Sequence, residues 1–275
     1  MTDKFRVLER SFPLSPALMS SNLCPQAVET ATGFLFASAL LDRYADRLRY
    51  GFTGKPLTVG GPAFPLEERR ANRRHWCQVL GLEADRLVVP TQVHGCRISR
   101  QDDPDTSQSD GILLTEPGQP AMVVTADCVP VLLYEPEAHV AAAVHAGWRG
   151  TAQRIVANAV ERLLATNPEA RAERLVVAIG PAIGPCCFEV GPEVIEQLSA
   201  TAPNVATQSS GWASACLQKA DKFYADVRTV NRLQLEALGV TMVEVSPVCT
   251  RCETERLFSY RRGDSGRQGA FLQLL

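Results

Sequence analysis

The chain has 275 residues, of which 45% are hydrophobic and 21% charged, and its formal net charge is −2. That is ordinary globular composition, with enough apolar material to fill a sizeable core in one large or two small domains. The near-neutral balance excludes a general attraction to nucleic acid or to anionic membranes, so function must come from a local site.

No run reads as a transmembrane helix. The apolar stretch Gly33 to Leu41 is too short and ends in Asp42 and Arg43. The opening MTDKFRVLER is charged and precedes no signal-type segment, so a cytoplasmic location is expected. Nine cysteines, an odd count without a signal peptide, argue for reduced thiols rather than a disulfide framework.

Residues 1–50 read as an N-terminal extension, with a helix from about Ala31 to Tyr50, and residues 51–275 as the catalytic domain. Gly51 to Pro65 reads as a Gly/Pro-rich loop. Leu66 to Leu80 predicts a helix, with Gly81 as its C-cap. Leu87 to Val93 looks like a strand, and Ile112 to Leu114 a short one. Ala121 to Thr125, Val129 to Tyr134 and Val140 to His145 are three apolar runs, the last buried on both faces by its composition. Gly147 to Gly150 is a turn, and Thr151 to Ala165 has helical spacing.

Leu175 to Ile179 predicts a strand that ends in a turn-rich loop through Pro185. A short helix follows from Pro192 to Leu198, then a polar loop from Asn204 to Gly211. A long helix is expected from Asp221 to Leu238. Strands are expected at Val240 to Val245, Arg256 to Tyr260 and Ala270 to Leu275. Strands and helices mix without strict alternation. The fold class is therefore α/β (α+β), a single domain of mixed β-sheets flanked by helices rather than a doubly wound sheet.

Three residues at the ends of apolar runs carry the chemistry. His94, Cys128 and His145 can supply two imidazoles and a thiolate, three ligands that leave a fourth tetrahedral position open, as a catalytic zinc requires. Their spacing is not a compact metal motif, and a lone strand histidine or cysteine is more often a core residue. Asp127, next to Cys128, is placed to orient a ligand histidine. Arg149 lies on a turn that opens a helix and can clamp an anion. The pair Cys249 and Cys252 is half a zinc ribbon, and no second C-x-x-C accompanies it, which argues against a zinc finger. The strand expected after it argues against a redox dithiol. These thiols and the adjacent Cys186 and Cys187 read as plain structural cysteines. The Gly180 to Gly191 stretch lacks the Lys-Ser/Thr ending of a P-loop. No histidine is followed two residues later by Glu, so the deaminase H-x-E signature is absent.

The segments QVHG (Gln92 to Gly95), SDG (Ser109 to Gly111), TADCVPVLL (Thr125 to Leu133), AAVHAGWRG (Ala142 to Gly150), IGPAIGPCCFEVG (Ile179 to Gly191), NRLQL (Asn231 to Leu235), CTRC and FSYRR (Phe258 to Arg262) keep a fixed order. In them the chain resembles the laccase-domain family, known both as multicopper polyphenol oxidases and as purine nucleoside phosphorylases. The likeness runs from about Leu87 to the C-terminus and does not extend into the first 50 residues. It implies a cytotoxic-necrotizing-factor-like cysteine hydrolase fold and zinc, or copper, on His94, Cys128 and His145. It also implies purine nucleosides and phosphate as partners, with deamination of adenosine as a side activity. On that reading Arg149 holds phosphate, with Arg261 or Arg262 second. Asp127, Asp110 and Glu189 are candidate proton carriers or ribose ligands.

Two rivals stand beside it. An ordinary multicopper oxidase needs about ten histidine ligands, and this chain has four histidines, although a mononuclear copper oxidation is not excluded by that count. Alternatively, Cys128 and His145 form a metal-free nucleophile–base pair of an amide hydrolase linked to cell-wall precursor editing. No coiled coil demands a dimer, so a monomer or weak homo-oligomer is expected.

Overall fold

The computed structural model describes residues 27–30, 33–201 and 214–275. The chain begins with β1 (Ala27–Thr30), β2 (Gly33–Phe36), α1 (Ala39–Asp42), β3 (Leu48–Pro56) and α2 (Leu66–Leu80). Then come β4 (Ile98–Arg100), β5 (Gly111–Leu114), β6 (Ala121–Thr125), β7 (Val129–Glu135), β8 (Val140–Ala146), α3 (Trp148–Ala152) and α4 (Ile155–Thr166). The remainder comprises β9 (Val176–Ile179), β10 (Glu189–Val190), α5 (Pro192–Ser199), β11 (Cys216–Lys219), β12 (Lys222–Ala225), α6 (Val227–Glu236), β13 (Met242–Val245) and β14 (Gln268–Leu274).

The strands form a five-stranded sheet in the order β1-β2-β3-β14-β6, a six-stranded sheet in the order β13-β9-β7-β8-β5-β4, and a small sheet β10-β12-β11. The five-stranded sheet is wholly antiparallel. The six-stranded sheet is mixed, with parallel pairs only at its two edges, β13 with β9 and β4 with β5. This is the expected single α/β unit of several sheets and helices.

Burial explains the continuous apolar runs. Every residue of β7 and β8 is buried. Because strand side chains alternate faces, Leu132 and Tyr134 pack with Phe36, Phe52 and Leu272 of the five-stranded sheet. Val131 and Leu133 pack instead with Ile155 and Val156 of α4 and Val230 of α6. Helix α2 covers the other face of the five-stranded sheet, with Trp76, Cys77 and Leu80 against Met122 and Phe271. The layers run helix, sheet, sheet, helices. Among the described residues no helix is long and apolar enough to cross a membrane.

Several local expectations are corrected. The segment read as one helix, Ala31 to Tyr50, instead contains β2, the short α1 and the start of β3. The Gly/Pro-rich loop begins later, because β3 continues to Pro56. Gly51 lies inside that strand because a Cβ there would sit 2.6 Å from Leu35 Cδ1 and 2.8 Å from Leu80 Cδ2. Leu87 to Val93 forms only isolated bridges. Pro90 lacks an N–H, and the Gln92 side-chain amide takes over the ladder by pairing with the N–H and C=O of Val124 at 2.7 and 2.8 Å.

Arg256 to Tyr260 is buried in part but forms no strand, since Gln268 satisfies the Phe258 backbone through its side chain. The turn expected at Gly147 to Gly150 is mostly the start of α3, and the helix expected from Thr151 to Ala165 is broken at Arg154, left-handed at φ 60°, before α4 begins. The long helix from Asp221 is a β-hairpin, β11 and β12, followed by α6. Gly81 caps α2 in the left-handed region, as expected. The polar loop Asn204 to Gly211 and residues 1–26 lie outside the described residues.

Candidate metal centre

Strand register assembles the site. β8 pairs antiparallel with β7, placing His145 opposite Pro130, and with β5, placing Val144 opposite Gly111. The C-terminal end of β8 and the N-terminal ends of β7 and β5 therefore meet at one edge. His145 is the penultimate residue of β8, Cys128 immediately precedes β7, and Asp110 immediately precedes β5. His94 arrives on the loop between α2 and β4. The donor atoms of His94, Cys128 and His145 all lie within 4.8 Å of one another. The two imidazoles meet edge to face, with ring centroids 4.9 Å apart.

Asp110 organises this edge. Its buried carboxylate accepts the backbone N–H groups of Val93, His94 and Gly95 at 3.1, 2.9 and 2.8 Å. Three successive amides converging on one anion form a nest. His94 pays for that turn with a left-handed backbone, φ 62°, a conformation costing a non-glycine residue on the order of 1–2 kcal/mol. The same carboxylate accepts His145 Nδ1–H at 2.8 Å, which leaves Nε2 as the ligand atom. Burial raises the Asp110 carboxyl, but hydrogen bonds from His145, Gly95 and Val93 outweigh it and hold the group below its ordinary range.

The thiol and imidazole perturb each other. Burial pushes the Cys128 thiol up, yet the charge and hydrogen bond of His145 and the contact with His94 prevail and bring it down to about 6. Burial pulls His145 down, but the Cys128 thiolate and Asp110 hold it above its usual value. Each thus draws the other toward its charged form, Cys128 toward thiolate and His145 toward imidazolium. Gly147 lets the backbone pass close by. A Cβ there would lie 3.1 Å from His94 Cδ2 and 3.2 Å from Cys128 Sγ.

The triad opens into a cleft of about 770 Å³, within the range of small-molecule sites. Five arginines line it: Arg69, Arg73, Arg149, Arg261 and Arg267. Asp127 is the only carboxylate among the described lining residues. Its oxygens accept the Thr250 hydroxyl at 2.6 Å and the Arg261 N–H at 2.7 Å. It therefore clamps two loops and touches neither histidine, contrary to the expectation that it orients one; Asp110 does that. The Arg149 guanidinium stacks on Trp148, 4.4 Å from the ring centroid. Arg261 stacks on Phe188 and donates to Glu189 O at 2.9 Å.

Three expected residues stand outside the wall, Asp110, Glu189 and Arg262. Asp110, expected as a proton carrier or ribose ligand, is fully buried behind the histidines. The Glu189 carboxylate pairs with Lys222 at 3.0 Å. Arg262 spends its guanidinium on the carbonyls of Thr250, Arg251 and Leu257 and on Asp264.

The sequence reading had left Arg69, Arg73 and Arg267 without a role. Arg69 and Arg73 are four apart on α2, a spacing that puts two like charges on one helix face. Burial, followed by the charges of Arg69 and Arg70, lowers the Arg73 guanidinium. Arg69 Nε and Thr125 Oγ1 are buried polar atoms without a protein partner. Phe188 and Tyr260 lie within the segments IGPAIGPCCFEVG and FSYRR, which mark them out without giving them a role, whereas Arg267 lies outside every such segment and only chain folding brings it to the cleft.

Known proteins resemble this chain. The family model for multi-copper polyphenol oxidoreductase laccase matches residues 66–275. A purine nucleoside phosphorylase of Deinococcus radiodurans is 36% identical over 206 residues, covering 74% of this chain and 76% of that protein. Adenosine deaminase RL5, from an unknown prokaryotic organism, is 35% identical over 201 residues, covering 66% and 72%. The crystal structure of YlmD from Geobacillus stearothermophilus superimposes with a TM-score of 0.80 at 29% identity, covering 91% of this chain and 99% of that one. With the family model spanning residues 66–275 and the curated relatives above 30% identity, the chain belongs to the multi-copper polyphenol oxidoreductase laccase family.

Proposed function

We propose that the protein is a zinc-dependent purine nucleoside phosphorylase acting on adenosine, inosine, guanosine and 5′-methylthioadenosine, with adenosine deaminase side activity. The observation that carries this reading is a His94–Cys128–His145 donor set at the floor of an arginine-walled cleft. Two imidazoles and one thiolate, backed by a carboxylate on the far nitrogen of His145, match the ligand chemistry of a three-coordinate zinc site. The relatives named purine nucleoside phosphorylase and adenosine deaminase support the substrate class. Bound there, zinc supplies Lewis acidity and a nucleophile near neutral pH.

The chain's own residues do the rest. Arg149, the α2 pair Arg69 and Arg73, and Arg261 hold and orient phosphate for attack on C1′ as the bond to the purine nitrogen breaks. Trp148, Phe188 and Tyr260 offer flat apolar surface to the base and sugar. The test is incubation of the metal-assayed protein with adenosine, with and without phosphate. Phosphate-dependent adenine and ribose 1-phosphate, and phosphate-independent inosine, are the expected products. The Cys128→Ala variant is expected to lose the metal and both activities, and full activity in it overturns the mechanism.

A second reading rests on the lowered Cys128 thiol beside a raised His145. That pair is an activated nucleophile for amide hydrolysis without metal. Amide hydrolysis by chelator-treated protein, blocked by thiol alkylation, would select it.

A further inference from the structure

A second group of thiols gathers on the side of the molecule that braces the cleft wall. Cys186 and Cys187 sit in the loop between β9 and β10, and Cys249 and Cys252 in the turn after β13. Their four sulfurs lie within 4.8 Å of one another. Cys252 Sγ is 3.7 Å from Cys186 Sγ and 3.4 Å from Cys187 Sγ. Disulfides require about 2.05 Å, and all four are free thiols. With Zn–S bonds of about 2.3 Å, the edges of a tetrathiolate tetrahedron are about 3.8 Å, close to the spacings seen. A cage this small encloses one ion rather than a cluster.

Hydrogen-bond donors reach into the cluster. Gly184 N–H donates to Cys249 Sγ at 3.2 Å. The backbone N–H groups of Arg251 and Cys252, two and three residues on, also point at that sulfur, the arrangement of a metal-binding knuckle. The Arg251 side chain hydrogen-bonds Cys187 and offsets the negative charge. Gly184 lets the backbone pass close to the cluster, since a Cβ there would lie 3.3 Å from Cys249 Cβ and 3.4 Å from Cys186 Sγ.

We infer that Cys186, Cys187, Cys249 and Cys252 form a second, structural zinc site, separate from the His94–Cys128–His145 centre. The sequence hides it because one half is an adjacent pair rather than a C-x-x-C. Its role follows from its connections. The turn that carries Cys249 and Cys252 also carries Thr250, which donates to Asp127 beside Cys128. The carbonyls of Thr250 and Arg251 hold Arg262, next to the cleft residue Arg261. An ion here pins the loop after β9 to this turn and so fixes the wall of the cleft. Four ligands close the site, which assigns it to structure and not to catalysis.

The test is metal stoichiometry in the full chain purified under reducing conditions and dialysed. Wild type is expected to retain two zinc ions per chain. The Cys187→Ser/Cys252→Ser variant, which alters the two sulfurs nearest each other, is expected to retain one. The His94→Ala/Cys128→Ser variant is also expected to retain one, and failure of the catalytic-site reading leaves that result untouched. Cobalt substituted into this last variant should give the intense near-ultraviolet absorption of several thiolate ligands and should lose it in a variant combining all four changes. Absence of retained metal in His94→Ala/Cys128→Ser, in protein whose circular dichroism matches wild type, overturns the proposal. So does a mass deficit showing disulfides among these cysteines in freshly reduced and desalted protein.

Discussion

At the scale of single residues, the site depends on a carboxylate that touches no substrate. Asp110 accepts three backbone amides from a loop 15 to 17 residues upstream and the imidazole of a strand 35 residues downstream. Asp110→Ala leaves His145 Nδ1–H buried and three part-buried amides without their acceptor, a loss of about 3–5 kcal/mol of stability. Asp110→Asn keeps the shape but removes the charge, and zinc affinity is expected to fall about 10–100-fold. Equilibrium unfolding and competition with a zinc chelator measure the two effects, and an unchanged affinity in Asp110→Asn shows that His145 is oriented by something else. The thiol offers an independent check. With its pKa depressed to about 6, Cys128 is thiolate above that pH, so alkylation of the metal-free protein should reach half its maximal rate near pH 6. An ordinary thiol would do so near 8.5. The clustering of His94, Cys128 and His145 was legible in the sequence because each lies at the end of an apolar run inside a distinctive motif. The nest was not, because it exists only once β5 and β8 are in register.

At the scale of elements, legibility followed burial. The runs that became β6, β7 and β8 were readable because nearly every position in them is covered, so apolar residues fill them except for Thr125, Glu135 and His145. Helix α2 was readable through its stop signal, Gly81. The failures share a cause. Where a side-chain amide replaces a strand's backbone ladder, as Gln92 does along Val124 and Gln268 along Phe258, composition says strand while the chain forms none. Where glycines sit inside a strand for close packing, as in β3, composition says loop. The segment from Gly33 to Pro56 is therefore more important than its texture implied. Phe36 of β2 is fully buried between the two large sheets with Phe52, Leu132 and Tyr134. Phe36→Ala is expected to destabilise the fold by about 3–5 kcal/mol. Urea denaturation monitored by tryptophan fluorescence measures it, and a loss below about 1 kcal/mol would mean that this segment is not integral to the core.

At the scale of the whole molecule, charge is distributed against the net balance. The chain is slightly acidic overall, at −2, yet its cleft carries five arginines and one carboxylate already committed to Thr250 and Arg261. Composition could not reveal this, because the arginines come from α2, α3 and the C-terminal loops and meet only in the folded chain. Like charges in such a wall repel one another; burial first, and then the charges of Arg69 and Arg70, lowers the Arg73 guanidinium, and an anion relieves the repulsion. Inorganic phosphate is thus expected to stabilise the native state, by about 2.7 kcal/mol at one hundred times its dissociation constant. The rise in melting temperature should shrink with added sodium chloride, because the screening length falls from about 8 Å at 0.15 M to 3 Å at 1 M. Differential scanning fluorimetry of three proteins locates the anion. Loss of the shift in Arg69→Ala/Arg73→Ala puts phosphate against α2. Loss in Arg149→Ala alone puts it at the start of α3, beside the triad. A full shift in both variants removes phosphate from this wall, and with it the geometric basis for phosphorolysis at this site, while leaving hydrolytic deamination at the triad intact.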